Sequence, residues 1–293
     1  MVAMVSETIG RIDEEKRIAI TDDYMFGYVM RQPGVCTSVI KCLLPGIPVA
    51  EVKFADEVEQ TADTQKTIQG NMGNHSVRLD VYLDDGKTIF NVEMQTGNKT
   101  NLPKRVRYYG GRLDCDQLEK AQDYNKLRPT YVIFICTFDP FGRNQYHYSF
   151  ENRCTEVEDL KLGDESYKLF FNATGHKGEI SEELKALLNY FLDPEQMPES
   201  EKTELVRKID DIVAFANRDN DWRRGYMTYV QAQMDARNEG IAIGEARGEA
   251  RGRTEGALQM LTALVRDGVL SIKDASKRAN MSEKEFAALI AVQ

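Results

Sequence analysis

Between Arg78 and Gln95 the chain reads RLDVYLDDGKTIFNVEMQ, two runs of alternating apolar and polar residues around Asp85-Gly86. Alternation with period two marks strands. An Asp-Gly pair favours a two-residue turn whose central residues both take positive φ. That turn sets Leu83 opposite Thr88, Val81 opposite Phe90 and Leu79 opposite Val92, an apolar face for a core. The other face pairs Tyr82 with Ile89, Asp80 with Asn91 and Arg78 with Glu93. A one-residue slip would mix the faces, so the alternation itself argues for the pairing. Asp80 and Glu93 then become diagonal neighbours about 5 to 8 Å apart at Cβ. Gln95 follows on the same face.

The pattern elsewhere alternates helices with strands. In DDYMFGYVMR, residues 22–31, apolar Met25, Phe26, Val29 and Met30 form a helical stripe behind acidic residues. Asp23 there reads as an N-cap or a favourable dipole contact. A second helix covers Val35 to Leu44 and ends at Pro45-Gly46, and Val49 to Phe54 fits a strand. The polar, turn-rich residues 60–76 read as a loop beside the hairpin, the kind of element that carries specificity on a rigid scaffold. Pro103 suits a helix start, and a helix is expected from Lys104 to about Ala121. TYVIFICTF, residues 130–138, is β-branched and aromatic throughout, which predicts a central strand buried on both faces. Tyr146 to Phe150 and Tyr167 to Asn172 read as strands at the sheet margin.

From Ser181 the periodicity is helical, with one helix stopping before Asp193-Pro194, a second over Thr203 to Arg218 and a third over Trp222 to Arg237. Gly240, Gly244, Gly248, Gly252 and Gly256 then recur every fourth residue. Each glycine costs a helix about 1 kcal/mol relative to alanine, yet such a stripe permits close backbone contact with another helix. A self-association segment is the favoured reading and a flexible charged linker the plainer one. The interleaved Glu245, Arg247, Glu249 and Arg251 exclude a membrane helix dimer. Leu258 to Gln293 reads as three short helices, with capping-box-like starts at Ser271 and Ser282. The arrangement is similar to a helix-turn-helix. Lys284 between Glu283 and Glu285 suits DNA poorly, so a small dimerisation or regulatory module is expected.

Composition narrows the class. The 293 residues suffice for one principal domain and an appendage. Five cysteines without a C-x-x-C pair argue against a disulfide framework or zinc ribbon and fit a reducing cytoplasm. His75, His147 and His176 lie at no ligand spacing. The first fifteen residues lack the pattern of a secretory leader, and no run is long enough for a membrane span. A net charge of −9 argues against a protein coated in nucleic acid. It leaves room for a local contact.

Two neighbouring carboxylates repel unless a cation or proton lies between them. A hard divalent ion such as Mg²⁺ suits oxygen donors of this kind and keeps several waters. A solvated hairpin face with an Arg78–Glu93 pair is the plainer reading of the same spacing.

Asp80 followed by Glu93-Met94-Gln95 resembles the D…(D/E)-x-K signature of the PD-(D/E)XK nuclease superfamily, with Gln95 at the lysine position. TDDYMF, LPKRVRYYGGRLD and YNKLRPTYVIFICTFDPFG, in that order around the hairpin, are similar to the Rpn family of recombination-promoting nucleases and transposases. The similarity covers roughly Thr21 to Ala173. It implies an α/β fold, a PD-(D/E)XK-like α/β/α core with a mixed sheet, followed by a mostly α-helical extension. The expected division is a lead-in over 1–20, the nuclease-like domain over 21–195, a helical extension with the glycine stripe over 196–256, and a small helical tail over 257–293.

The resemblance further implies a cytoplasmic, metal-dependent DNA endonuclease linked to recombination or mobile elements. Mg²⁺ or Mn²⁺ would be held by Asp80, Glu93 and the Met94 backbone carbonyl. Asp23, which with Phe26 fits a D-x-x-F pattern, is a further candidate ligand, although Gly27 stands where the family usually has lysine. Catalysis would fall to Asp80, Glu93 and Gln95. Nucleic-acid contacts would come from Arg105, Arg107, Tyr108 and Tyr109, with either tyrosine able to match the family position. Glu-x-Gln is usual among Rpn-like sequences. Gln95 can orient water but brings no charge, which predicts a slow enzyme or one relying on Arg105 or Arg107. The expected partners are DNA and, through the C-terminal helices, a second copy, with no membrane. The alternatives are a catalytically weak or idle fold used as an interaction module, and a strand-transferring transposase.

Overall fold

The computed structural model describes residues 17–49, 67–68, 77–78, 80–97 and 100–292. Helices α1 (Asp23–Met30) and α2 (Val35–Leu43) precede a two-stranded pair, β1 (Thr67–Ile68) and β2 (Val77–Arg78). Then come β3 (Val81–Asp84), β4 (Ile89–Gln95), α3 (Leu102–Gln117), β5 (Thr130–Cys136), β6 (His147–Phe150) and β7 (Ser166–Asn172). The rest is helical: α4 (Glu182–Leu192), α5 (Glu204–Arg218), α6 (Asn220–Arg266), α7 (Ile272–Arg278) and α8 (Glu283–Val292). The strand expected over Val49 to Phe54, the polar stretch over 60–76 and Leu79 fall wholly or largely outside the described residues.

Five strands form one sheet in the order β3-β4-β5-β7-β6. β4, β5 and β7 run parallel, and β3 and β6 are antiparallel edges. The mixed α/β/α arrangement is therefore present. Alternate residues of the inner strands divide two cores. Phe90, Val92, Ile133, Ile135 and Phe171 pack with α1, α2, α4 and α5. Ile89, Val132, Phe134 and Phe170 pack beneath Leu102, Val106 and Leu113 of α3. β5 is the central strand, buried at every position. β7 lies inside the sheet beside β5 rather than at its margin; only β6 is an edge there.

The hairpin register differs from the sequence reading by two residues. Val81 faces Val92, Tyr82 faces Asn91, Leu83 faces Phe90 and Asp84 faces Ile89. The cause is the Asp85 carboxylate, which accepts from the backbone N–H of Lys87 and Thr88 at 2.9 and 2.7 Å and so builds a four-residue loop. Only Gly86 in that loop has positive φ, +81°, so a turn needing two such residues does not form. A shift of two preserves the faces. Arg78, in β2, pairs with Thr67 of β1 and not with Glu93. Nor is the polar face solvated: β4 is buried at all seven positions, because β5 flanks it and α3 covers that side.

Contacts divide the chain into two compact units, Met1–Tyr226 and Met227–Gln293. In the first, α5 contributes Leu205, Val206, Ile209 and Val213 to the larger core. α6, which starts before the boundary at Asn220, runs uninterrupted through the five glycines, where separate helices were expected. The i,i+4 pairs Arg251–Glu255, at 2.6 Å, and Glu249–Arg253 support it. The expected starts of α7 and α8 hold. Ser271 caps Asp274 N–H, and Ser282 exchanges hydrogen bonds with Glu285 in both directions. Among the described residues no helix is long and apolar enough to cross a membrane.

Candidate functional site

The ladder between β3 and β4 ends at Val81, and Asp80 bends over the next residues of β4. Its backbone N–H donates to Glu93 Oε1 at 3.2 Å, and its Oδ2 accepts from Met94 N–H at 3.2 Å. The two acids are therefore neighbours, joined through backbone N–H groups. They lie on the α3 face, the one shared by Tyr82, Asn91 and Gln95.

Glu93 is 2% exposed. Burial pushes its carboxyl well above the ordinary carboxylate range, and the neighbouring Asp80 charge adds to the effect. Three groups act the other way: the Asn91 side-chain amide, the Asp80 N–H and the Arg105 guanidinium. Asn91 Nδ2 donates to Glu93 Oε1 at 3.0 Å. That oxygen thus takes two donors, while Oε2 lies 3.8 Å from Arg105 Nη2.

α3 delivers the cation. Its apolar residues Leu102, Val106, Gly110 and Leu113 are buried, which turns Arg105 and Tyr109, four residues apart, toward the end of β4. Arg105 Nη1 donates to Gln95 Oε1 at 2.7 Å and Nη2 to the Tyr109 hydroxyl at 3.1 Å. The guanidinium carbon lies 5.4 Å from the centroids of both Tyr109 and Phe134, a stacked setting that suits arginine better than lysine. Gln95 Nε2 donates to the Gly97 carbonyl at 2.7 Å, so the Gln95 amide is engaged at both ends. Burial raises the Tyr109 hydroxyl pKa, and Glu93 adds to it against Arg105.

The structure thus gathers Asp80, Glu93, Gln95, Arg105 and Tyr109. Arg107 and Tyr108 point elsewhere; both are exposed, Tyr108 at 41%. Asp23 stands exposed in the first turn of α1, where the N-cap is Asp22, accepting from Tyr24 and Met25 N–H. Among the described residues no group of three or more His, Cys, Asp or Glu is close enough to hold a metal, so Asp23 is not brought to the hairpin acids. Sequence reasoning gave Asn91 no role. The signal was its period-two spacing from Glu93 on β4.

Two oxygen-donor side chains, one buried and repelled by the other, suit a hard divalent ion that retains water. Asp80 and Glu93 therefore fit such an ion as protein ligands.

The family model described as PD-(D/E)XK nuclease family transposase matches residues 55–240, more than half of the chain. Comparison with curated proteins and with solved structures gives no match.

Proposed function

The chain belongs to the PD-(D/E)XK nuclease family transposases, and from that premise we propose that it is a metal-dependent DNA endonuclease that hydrolyses phosphodiester bonds in recombination or element mobility. The observation that carries the reading is the junction of Asp80 with the buried Glu93. Asp80, Glu93 and the Met94 backbone carbonyl would hold Mg²⁺ or Mn²⁺; Asp23 is left out of this ligand set. When bound, such an ion polarises a phosphoryl oxygen and lowers the pKa of water.

The chain's own residues do the rest. Arg105 supplies the positive charge that position 95 lacks, aimed by Gln95 and Tyr109. Phosphate contacts outside the reacting centre fall to the exposed Arg107, with Tyr108 beside it for stacking. Self-association through α6 is the proposed assembly. One observation favours a second reading, an idle fold retained as an interaction module: the Gln95 amide is bound at both ends, which holds its plane and leaves a single N–H to orient a nucleophilic water.

Supercoiled plasmid incubated with the purified chain in Mg²⁺, Mn²⁺ or EDTA decides between them. Nicking that needs metal and disappears in Asp80→Ala and Glu93→Ala is the expected result. Equal nicking by wild type and both variants, or none under any metal, removes the endonuclease. Joined-strand products would instead indicate strand transfer.

A further inference from the structure

Asn91 is 0% exposed at the centre of β4. Its neighbours across the sheet are Tyr82 on β3 and Val132 on β5. Its amide nitrogen donates to Glu93 Oε1 at 3.0 Å. Its amide oxygen is buried and, among the described residues, has no hydrogen-bond partner.

That combination is unfavourable for folding alone. A buried acceptor left unpaired loses its hydration with nothing in exchange. An apolar residue would serve better between Ile89 and the α3 core, since β4 is buried on both faces. With Glu93 ionised, as a metal ligand is, reversing the amide gives no relief, because it would set Oδ1 against Oε1. The amide is therefore fixed with its donor on the carboxylate and its acceptor orphaned. Glu93 Oε1 is held from two directions, by Asn91 Nδ2 and Asp80 N–H. Its carboxylate plane is thereby set before any ligand arrives.

We propose that Asn91 is a positioning residue of the metal site, which orients the Glu93 carboxylate so that Oε2 is presented as a ligand, at the expense of its own unpaired oxygen. This rests on the metal-site reading above. Groups that orient a metal ligand in this way typically contribute a factor of about 10 to 100 in metal affinity.

The test is calorimetric titration of Mn²⁺ into the full chain, with thermal unfolding in EDTA alongside, for wild type, Asp80→Ala, Asn91→Leu and Asn91→Ser. Both Asn91 variants should bind Mn²⁺ about tenfold or more weakly, and Asn91→Leu should unfold in EDTA at or above the wild-type midpoint. A folded Asn91 variant that binds Mn²⁺ within about twofold of wild type overturns the proposal. So does a lowered EDTA midpoint in both variants with unchanged affinity, which makes Asn91 a fold residue only. Wild type that binds no better than Asp80→Ala overturns the metal site itself, and the role of Asn91 with it.

Discussion

Arg105 Nη1 donates to the Gln95 amide oxygen across 2.7 Å, so the cation at the end of β4 comes from the covering helix and not from the strand. Positions 95 and 105 act as a pair. One carries the charge and the other aims it.

A lysine restored at the signature position would therefore meet a guanidinium already in place. Gln95→Lys is expected to lower metal-dependent nicking, because two cations would contend for one space beside Glu93. Arg105→Gln should lower it more, on the order of a hundredfold, the usual effect of removing one preorganised donor. The double variant, with the charge moved back to the strand, should nick faster than Arg105→Gln alone. Plasmid nicking rates of the four chains at one Mn²⁺ concentration measure this. A double variant no better than its worse parent would end the idea of a pair.

The two adjacent tyrosines should behave differently. Tyr109 accepts from Arg105 and stacks on Phe134 with ring centroids 6.1 Å apart, whereas Tyr108 is exposed. Tyr109→Phe is expected to slow nicking severalfold with little change in DNA affinity, by loosening the guanidinium. Tyr108→Phe should leave nicking unchanged. Arg107→Ala should weaken DNA binding at all sequences and reduce the salt slope of log affinity by about 1. Filter binding across a salt series, beside nicking rates, separates these effects.

How much of this was readable in the sequence follows from which forces are local. Period two fixes faces whatever the turn does, so Asp80 and Glu93 meet although the hairpin shifted by two residues. The turn itself was misread because the Asp-Gly preference carries no information about the Asp85 side chain, which captures two backbone N–H groups. Burial of Asn91, Glu93 and Gln95 depends on α3 lying over them, a long-range fact absent from the strand's own pattern. The choice of Tyr109 over Tyr108 depends on the same helix and its rotation about Val106. The glycine stripe shows the converse limit. Its per-residue cost was legible, but the continuity of α6 depends on helix formers and ion pairs summed over its length.

A bidentate pair ties the hairpin to the start of β5. Arg128 donates to both Asp84 oxygens, at 2.5 and 2.9 Å, and the Tyr82 hydroxyl donates to Oδ2 at 3.2 Å. Burial alone would raise the Asp84 carboxyl, but Arg128, Gly86 N–H and Tyr82 outweigh it and hold it below the usual range. A depressed carboxylate stabilises the fold above its unfolded pKa, and that stability is lost as pH falls through the folded value. Both partners are about one-third exposed, so Arg128→Ala is expected to cost only about 1 kcal/mol. The loss should be present at pH 7 and vanish below the carboxylate range. Urea unfolding of both chains from pH 7 to pH 2.5 reads it directly, and an undiminished difference at the acid end would assign the loss to packing.

Glu93 reverses that sign. Burial first, then Asp80, raises its carboxyl in the folded chain, so the folded state holds a proton that the unfolded state gives up from about pH 4.5 upward. Its contribution to stability is complete below that value and is lost as pH rises through the raised folded pKa. At neutral pH without metal, Glu93 should therefore destabilise the fold. Glu93→Gln, of nearly the same shape and without the charge, is expected to unfold at a higher temperature than wild type in EDTA at pH 7.5, with the advantage shrinking as pH falls toward 4.5. Other titrating carboxylates such as Asp84 are common to both chains and largely cancel in the difference. Mn²⁺ should reverse the order at pH 7.5, since an ion bound only by the folded wild type stabilises it by mass action and Glu93→Gln lacks the charged ligand. Scanning calorimetry of both chains at two pH values, with Mn²⁺ and with EDTA, gives every comparison needed. A wild type already the more stable in EDTA at pH 7.5 would mean that Asn91, Arg105 and the Asp80 N–H hold Glu93 ionised without help, and that no cation is required to keep these two acids together.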